Sequence, residues 1–344
     1  SVARGVKRSK DSLKQWLIPG GFFGDLGIEY MGPVDGHNMN QLIRAIRTAQ
    51  KEKQAVIVHV ITQKGKGYEP AENRPSEFHG VGKFDVKSGE IAKSPNITYT
   101  EAFSKAIQYL GTKDERVVAV SAAMPSGTGL TKFAKRFPGR FFDVGIAEEH
   151  AVTFAGGLAA GGLKPYVAIY SSFFQRAYDQ IIHDVCIPDL PVTFCIDRAG
   201  IVGADGETHQ GILDLSFFAS IPGMTICAPK NKYELYDMMK FSLNFGHPLA
   251  IRYPRGDAYE GEQQHRAPIV CGKSEMLYEG EQVALVAVGS MVETAIQVKD
   301  YLAEAGLAAT VVNARFIKPL DTDMLDALSE KHNMIVTMEE NVLR

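Results

Sequence analysis

The stretch Ala147-Glu148-Glu149-His150-Ala151-Val152-Thr153-Phe154-Ala155-Gly156-Gly157-Leu158-Ala159-Ala160-Gly161-Gly162 opens with two carboxylates and a histidine and continues in small and apolar residues. Acidic groups in a first helical turn complement the positive end of the macrodipole. A body of Ala, Val, Phe, Leu and Gly without a polar face predicts a helix buried all round. Glu148, at the mouth of that helix, is either an amino-terminal charge on a core element or a functional carboxyl able to share a proton with a ring nitrogen.

Around this helix the chain has an α/β rhythm. Downstream of Tyr99 the patterning predicts helices over 100–110, 130–137, 173–185 and 232–242, with strands over 117–121, 141–143, 166–170, 191–196, 225–227 and 249–253. Apolar strands alternating with helices form a parallel sheet covered on both faces. A charged, turn-rich stretch over 258–266 separates a third α/β segment, with strands over 283–288, 309–312 and 334–338 and helices over 292–305 and 321–329. Upstream, residues 1–16 read as a basic amphipathic helix ended by Pro19-Gly20-Gly21. A turn cluster, Gly32-Pro33-Val34-Asp35-Gly36-His37-Asn38, precedes a helix over 40–49 and a strand over 55–61. Residues 64–95 are rich in Gly, Pro and charge, which predicts a long irregular linker.

Composition bounds the function. A chain of 344 residues makes two to three domains at roughly 150 residues each. Its 45% hydrophobic and 22% charged content is that of a globular protein. Net charge is −3, with no basic patch beyond residues 4–14, which argues against nucleic acid as a partner. The four cysteines form no CxxC pair and read as reduced core residues of a cytoplasmic protein. No stretch approaches the ~18 apolar residues of a membrane span, and no apolar region follows the basic residues of 1–10, so neither a membrane partner nor an export signal is expected.

In sheets of this kind ligands bind beyond the carboxyl ends of the strands. Tyr170, Phe173 and Arg176 follow one strand, the last two at i and i+3, which suits an aromatic plane for a heterocycle beside an orienting cation. Asp197, Arg198, Asp205 and His209 follow the next, in a loop carrying Gly200, Gly203, Gly206 and Gly211. Arg252 and Arg255 follow a third. Each alone is as readily core or a solvated ion pair; together they converge on one rim, where two arginines can grip a phosphate. His37 is either a turn residue or an acid–base group presented to a cleft.

Five segments carry a family resemblance: Gly32 to His37, Asp143 to Val152, Tyr170 to Gln180, Asp197 to Gly211 and Arg252 to Gly256. In this order they resemble the 1-deoxy-D-xylulose-5-phosphate synthase family, transketolase-like enzymes dependent on thiamine diphosphate. The resemblance implies a pyrimidine-type, parallel-sheet domain over 94–256. It also implies the tail of an amino-terminal diphosphate-binding α/β domain, with its linker, over 1–93 and an incomplete transketolase C-terminal-like domain over 257–344. It implies condensation of pyruvate with D-glyceraldehyde 3-phosphate and loss of carbon dioxide, the first step of non-mevalonate isoprenoid synthesis and a supply for thiamine and pyridoxal. It implies a homodimer as well. The glutamate matching Glu148 bonds to the pyrimidine N1′ of the cofactor, Phe173 packs on that ring and Arg176 supports it. Tyr170, Arg198 and Arg255 bind the acceptor phosphate, while Asp205, His209 and His37 face the reacting carbons. The two histidines are the candidates for proton transfer, with the division of work between them open.

The family also has a Gly-Asp-Gly motif with a downstream Asn that holds Mg2+ and the diphosphate. Gly24-Asp25-Leu26 and Ala204-Asp205-Gly206 do not qualify. The expectation is therefore a piece of the enzyme, inactive alone, with its metal ligands and the missing amino-terminal domain outside this chain. The alternatives are a non-catalytic or split transketolase-like subunit and, closer, a generic transketolase or a pyruvate dehydrogenase β-type subunit. Arg198, His209 and Arg255 together with Glu148 favour the catalytic reading.

Overall fold

The computed structural model describes residues 21–91, 95–203 and 205–342; the helix expected over 1–16 lies outside them. The chain divides into two compact units, 1–93 and 94–344. In the first, β1 (Glu29–Asp35) and β2 (Val56–Ile61) pair in parallel through α1 (Met39–Ala49). The Asn38 side chain caps α1 by accepting the Gln41 N–H at 3.2 Å. The stretch expected to be an irregular linker contains a short helix, Glu69–Asn73. It also packs Tyr68, Phe78 and Phe84 with ring centroids 5.3–6.0 Å apart. Rings meeting through turns leave no period to read.

The second unit contains, in order, α2 (Tyr99–Lys113), β3 (Val117–Ser121), β4 (Phe141–Asp143), α3 (Glu148–Ala160), β5 (Lys164–Tyr170), β6 (Thr193–Asp197), α4 (Asp214–Ser220), β7 (Thr225–Cys227), α5 (Lys232–Ser242) and β8 (Leu249–Arg252). It continues with β9 (Glu275–Tyr278), β10 (Val283–Ala287), α6 (Met291–Glu304), β11 (Ala309–Asn313), β12 (Phe316–Lys318), α7 (Thr322–Lys331) and β13 (Met334–Met338). A seven-stranded sheet has the order β12-β7-β8-β6-β5-β3-β4, and a four-stranded sheet the order β13-β10-β11-β9. Both are parallel except at one edge each, where β12 runs antiparallel to β7 and β9 to β11. The sheets are thus mainly parallel, as expected, and the two antiparallel edge strands, not expected, are short and find their partners far away in sequence.

Alternation along the central strands builds two cores. Val167 and Ile169 of β5 and Phe194 and Ile196 of β6 join one with α3. Tyr166 and Ala168 of β5 and Cys195 of β6 join the other with α2 and α5. Two expectations are corrected. Helix α3 is not buried all round, because Glu149, His150, Thr153, Gly157 and Ala160 are exposed; the polar ones fall in its first half and the face ends in Gly157 and Ala160, so no polar stripe runs its length. The helix expected over 173–185 is four short turns of changing pitch, ending in a π-helical turn at Ile181–Cys186. A closed set of buried charges ties α5 to β9 and to the turn before β12. Lys230 Nζ lies 3.1 Å from Glu234 and 2.7 Å from Glu275, and Arg315 lies 2.7 Å from each of the same carboxylates.

Candidate active site

Parallel register brings the strand ends level: Tyr170 lies opposite Asp197, and Ile196 opposite Arg252. Glu148 begins α3 on the same side and is 1% exposed. The loop before it is braced by Asp143, whose Oδ1 accepts the N–H groups of Ala123 at 2.7 Å and Gly145 at 3.0 Å. Arg176 Nη1 donates to Glu148 Oε1 at 2.5 Å. The same guanidinium lies 4.6 Å from the centroid of the Phe173 ring. Arg176 therefore fixes a buried carboxylate and a half-buried aromatic face relative to each other, a preorganisation that neither residue supplies alone. Tyr170, Phe173 and His209 form an aromatic group with centroids 5.1–6.0 Å apart. His209 Nδ1 lies 2.9 Å from Thr208 Oγ1.

Beside this group stands Arg198, held in a left-handed backbone conformation at φ 62°. Such a conformation on a non-glycine residue persists where surroundings over-determine it, and here they do. Asp197 accepts the Arg198 N–H at 2.8 Å and its guanidinium at 3.0 Å, and Thr100 Oγ1 donates to the other carboxylate oxygen at 2.9 Å. Arg198 also donates to the Gly127 carbonyl at 2.6 Å and to Asp205 at 3.2 Å, with its guanidinium 3.9 Å from the Tyr170 ring centroid. Burial pushes the Asp197 carboxyl up against the pull of Arg198. Burial opposes the charge on Arg198, but Asp197, Tyr170 and Asp205 outweigh it and hold the guanidinium above its ordinary value. Burial likewise raises the Tyr170 hydroxyl.

Asp205 also pairs with Arg255. The two arginines thus share one carboxylate, and with Asp197 the four charges cancel. Glu148, Phe173 and Arg176 form one cluster, adjoined by Tyr170, Arg198, Asp205, His209 and Arg255. His37 belongs to the first unit, where it is exposed, accepts the Gln63 N–H at Nε2 at 2.7 Å and donates its own N–H to Asp35 at 2.9 Å. Arg252 is 3% exposed and paired with Asp214 at 3.0 Å, which assigns it to structure. Sequence reasoning passed over the bracing by Asp143, Thr100 and Gly127. For Asp197 a signal existed: a carboxylate ending an apolar strand must find a cation.

A buried carboxylate beside a half-buried ring fits a flat heterocycle with a ring nitrogen, as the pyrimidine of thiamine diphosphate is. Among the described residues no group of three or more His, Cys, Asp or Glu could hold a metal ion.

Residues 95–260 match the transketolase pyrimidine-binding domain, residues 272–344 the transketolase C-terminal domain, and residues 1–62 the family described as 1-deoxy-D-xylulose-5-phosphate synthase. The 1-deoxy-D-xylulose-5-phosphate synthase of Lachnoclostridium phytofermentans is 55% identical over 100% of this chain and 55% of its own length. That of Caldanaerobacter subterraneus subsp. tengcongensis is 50% identical with the same shares covered. The chain thus spans about half the length of the curated relatives it matches. Among solved structures, a split-gene transketolase described as an inactive beta4 tetramer matches with a TM-score of 0.63 and 30% identity, over 71% of this chain and 80% of that one. Transketolase from Campylobacter jejuni shares the fold at a TM-score of 0.59 and 17% identity, over 92% of this chain and 64% of that one. The chain belongs to the 1-deoxy-D-xylulose-5-phosphate synthase family, with the α/β fold of the transketolase pyrimidine-binding and C-terminal domains.

Proposed function

We propose that this chain supplies the pyrimidine-binding and carboxy-terminal parts of an enzyme that condenses pyruvate with D-glyceraldehyde 3-phosphate, with loss of carbon dioxide, to 1-deoxy-D-xylulose 5-phosphate. The observation that carries the reading is the Arg176 guanidinium shared between buried Glu148 and the Phe173 ring, beside a rim bearing Arg198, Asp205, His209 and Arg255. Bound thiamine diphosphate supplies the electron sink for decarboxylation and carbon–carbon bond formation. Glu148 holds a proton at the pyrimidine ring nitrogen, Phe173 stacks on the ring, and Arg176 keeps both in place. Arg255, the more exposed of the two rim arginines, exchanges its Asp205 partner for the acceptor phosphate, while Arg198, fixed by Asp197 and Gly127, holds the rim's shape and field. His209 reaches the reacting carbons from the loop over 198–211, and His209 and His37 are the candidates for proton transfer in the complete enzyme. Mg2+ and the diphosphate are held outside this chain's described residues, so the chain alone neither binds the cofactor tightly nor turns over. A homodimer belongs to the same reading: the small-residue face of α3 admits the close approach of a second copy.

Steady-state kinetics of the complete enzyme test the assignment. Arg255→Ala is expected to raise the acceptor KM about tenfold, one charge-assisted bond's worth at a partly exposed site, with the pyruvate KM unchanged. An equal effect on both substrates would return Arg255 to structure. A split subunit is the second reading, favoured by the likeness to the split-gene transketolase chain. The mass of the intact source protein decides between them: a natural chain of 37.6 kDa supports the split subunit.

A further inference from the structure

The loop from Arg198 to Gly211 carries Asp205 near its tip and His209 two residues before its closing glycine, and its two stems are zipped by paired backbone bonds between Gly200 and Gly211, each 2.8 Å. Both stems touch the segment that follows β13 of the other sheet. A Cβ on Gly200, whose φ is +77°, would lie 2.5 Å from Glu340 Oε1, so the carboxylate rests directly on the glycine backbone. Glu340 is held there by the Ser290 hydroxyl, which donates to Oε2 at 2.5 Å. Where the other stem leaves the loop, the Val342 N–H donates to the Ile212 carbonyl at 3.0 Å, and Asn341 Nδ2 donates to Ser216 Oγ of the following helix α4 at 2.5 Å. Val288 N–H to the Met338 carbonyl, 3.0 Å, ties this segment back to β10 and so to the turn bearing Ser290.

We propose that Glu340 is a positioning residue: seated by Ser290 against Gly200, with Asn341 and Val342 where the opposite stem leaves the loop, it sets the placement of the loop that delivers Asp205 and His209. The C-terminal segment thereby acts on acceptor binding without touching the acceptor. Two features make the contact specific. Residue 200 must be glycine, because any side chain would occupy the carboxylate's place. The anchor bears on the stems, where a small rotation becomes a larger displacement at Asp205, and His209, two residues from the closing glycine, has a centroid distance of only 5.1 Å to Phe173 to preserve.

The consequence for acceptor binding rests on the synthase reading, so two measurements keep the ideas apart. In the 344-residue chain, hydrogen exchange of amides 201–211 reports the anchor without any reaction. Glu340→Ala is expected to speed it about tenfold, while Glu340→Gln, which still accepts from Ser290 and fills the same space, restores it to within about twofold. In the complete enzyme, Glu340→Ala is expected to raise the acceptor KM at least about fivefold with the pyruvate KM within about twofold, again rescued by glutamine. Unchanged loop exchange in Glu340→Ala overturns the anchor. Faster exchange with an unmoved acceptor KM, or both KM values rising together, overturns the positioning role. A wild-type complete enzyme that makes no condensation product removes the synthase reading, and the exchange measurement still decides the anchor.

Discussion

Gly127 lies under the Tyr170 hydroxyl, and Gly127→Ala tests whether that contact sets the rim. A methyl group built on Gly127 would bury itself in the Tyr170 hydroxyl oxygen and lie 2.8 Å from Cζ, where ordinary contact begins near 3.4 Å. The ring must withdraw by more than half an ångström at Cζ and further at the oxygen. Both atoms matter, because Arg198 stacks on that ring at 3.9 Å and donates to the Gly127 carbonyl at 2.6 Å. Overpacking a well-filled site costs about 1–3 kcal/mol. For a unit of this size that lowers Tm by roughly 2–12 °C, at about 2–4 °C per kcal/mol. Displacement of rim groups by about 1 Å lowers kcat/KM for the acceptor on the order of a hundredfold. Calorimetry and steady-state kinetics on Gly127→Ala, Tyr170→Phe and the double variant provide a cycle. Removing the hydroxyl relieves the deeper overlap and leaves only the one at Cζ, so the double variant should recover about 1 kcal/mol over the sum of the single changes. Additive effects, or an unmoved Tm, would refute the reasoning.

Three further outcomes are expected. Glu148→Gln in the complete enzyme leaves the melt unchanged and lowers turnover by several orders of magnitude, since an amide cannot share the proton; near-normal exchange of the cofactor C2 proton would remove that role. Burial raises the Glu275 carboxyl, but Lys230, the Ala267 N–H and Arg315 pull it below its ordinary value of about 4.5. Its stabilising contribution is therefore complete above about pH 4.5 and lost as pH falls through the lower folded value. Tm measured from neutral pH to pH 3 should fall less steeply in Glu275→Gln than in wild type, from a lower starting point; parallel curves would count against the assignment. Isothermal titration of the 344-residue chain with thiamine diphosphate and magnesium should show no micromolar binding, and a micromolar Kd would mean the diphosphate is held within it.

The central sheet was legible because its strands are continuous apolar runs between turn residues, and the strand ends pointed to Tyr170, Asp197 and the arginines as neighbours. What stayed hidden is non-local or irregular. Strand β12, three residues long, pairs with β7 some ninety positions earlier. The turns over 171–186 change pitch, which a single 3.6-residue period cannot describe, yet the Phe173–Arg176 spacing survived because it falls before the π turn. The sharing of Asp205 by two arginines, and the exclusion of any side chain at Gly127, depend on which loops meet, and no spacing encodes that.

The antiparallel edge formed by β12 makes the seam between the two transketolase-type segments a poor place to cut. The family boundaries fall between 260 and 272, yet β12, encoded beyond them, closes the rim of the earlier sheet, and Glu275 and Arg315 neutralise Lys230 and Glu234. A clone ending near residue 270 would expose β7 as a bare template for intermolecular pairing and leave the Lys230–Glu234 pair without its two other partners. Such a product belongs in inclusion bodies, and chimeras swapped at that seam would inherit the same defect. Shuffling experiments in this family should carry residues 94–344 as one cassette.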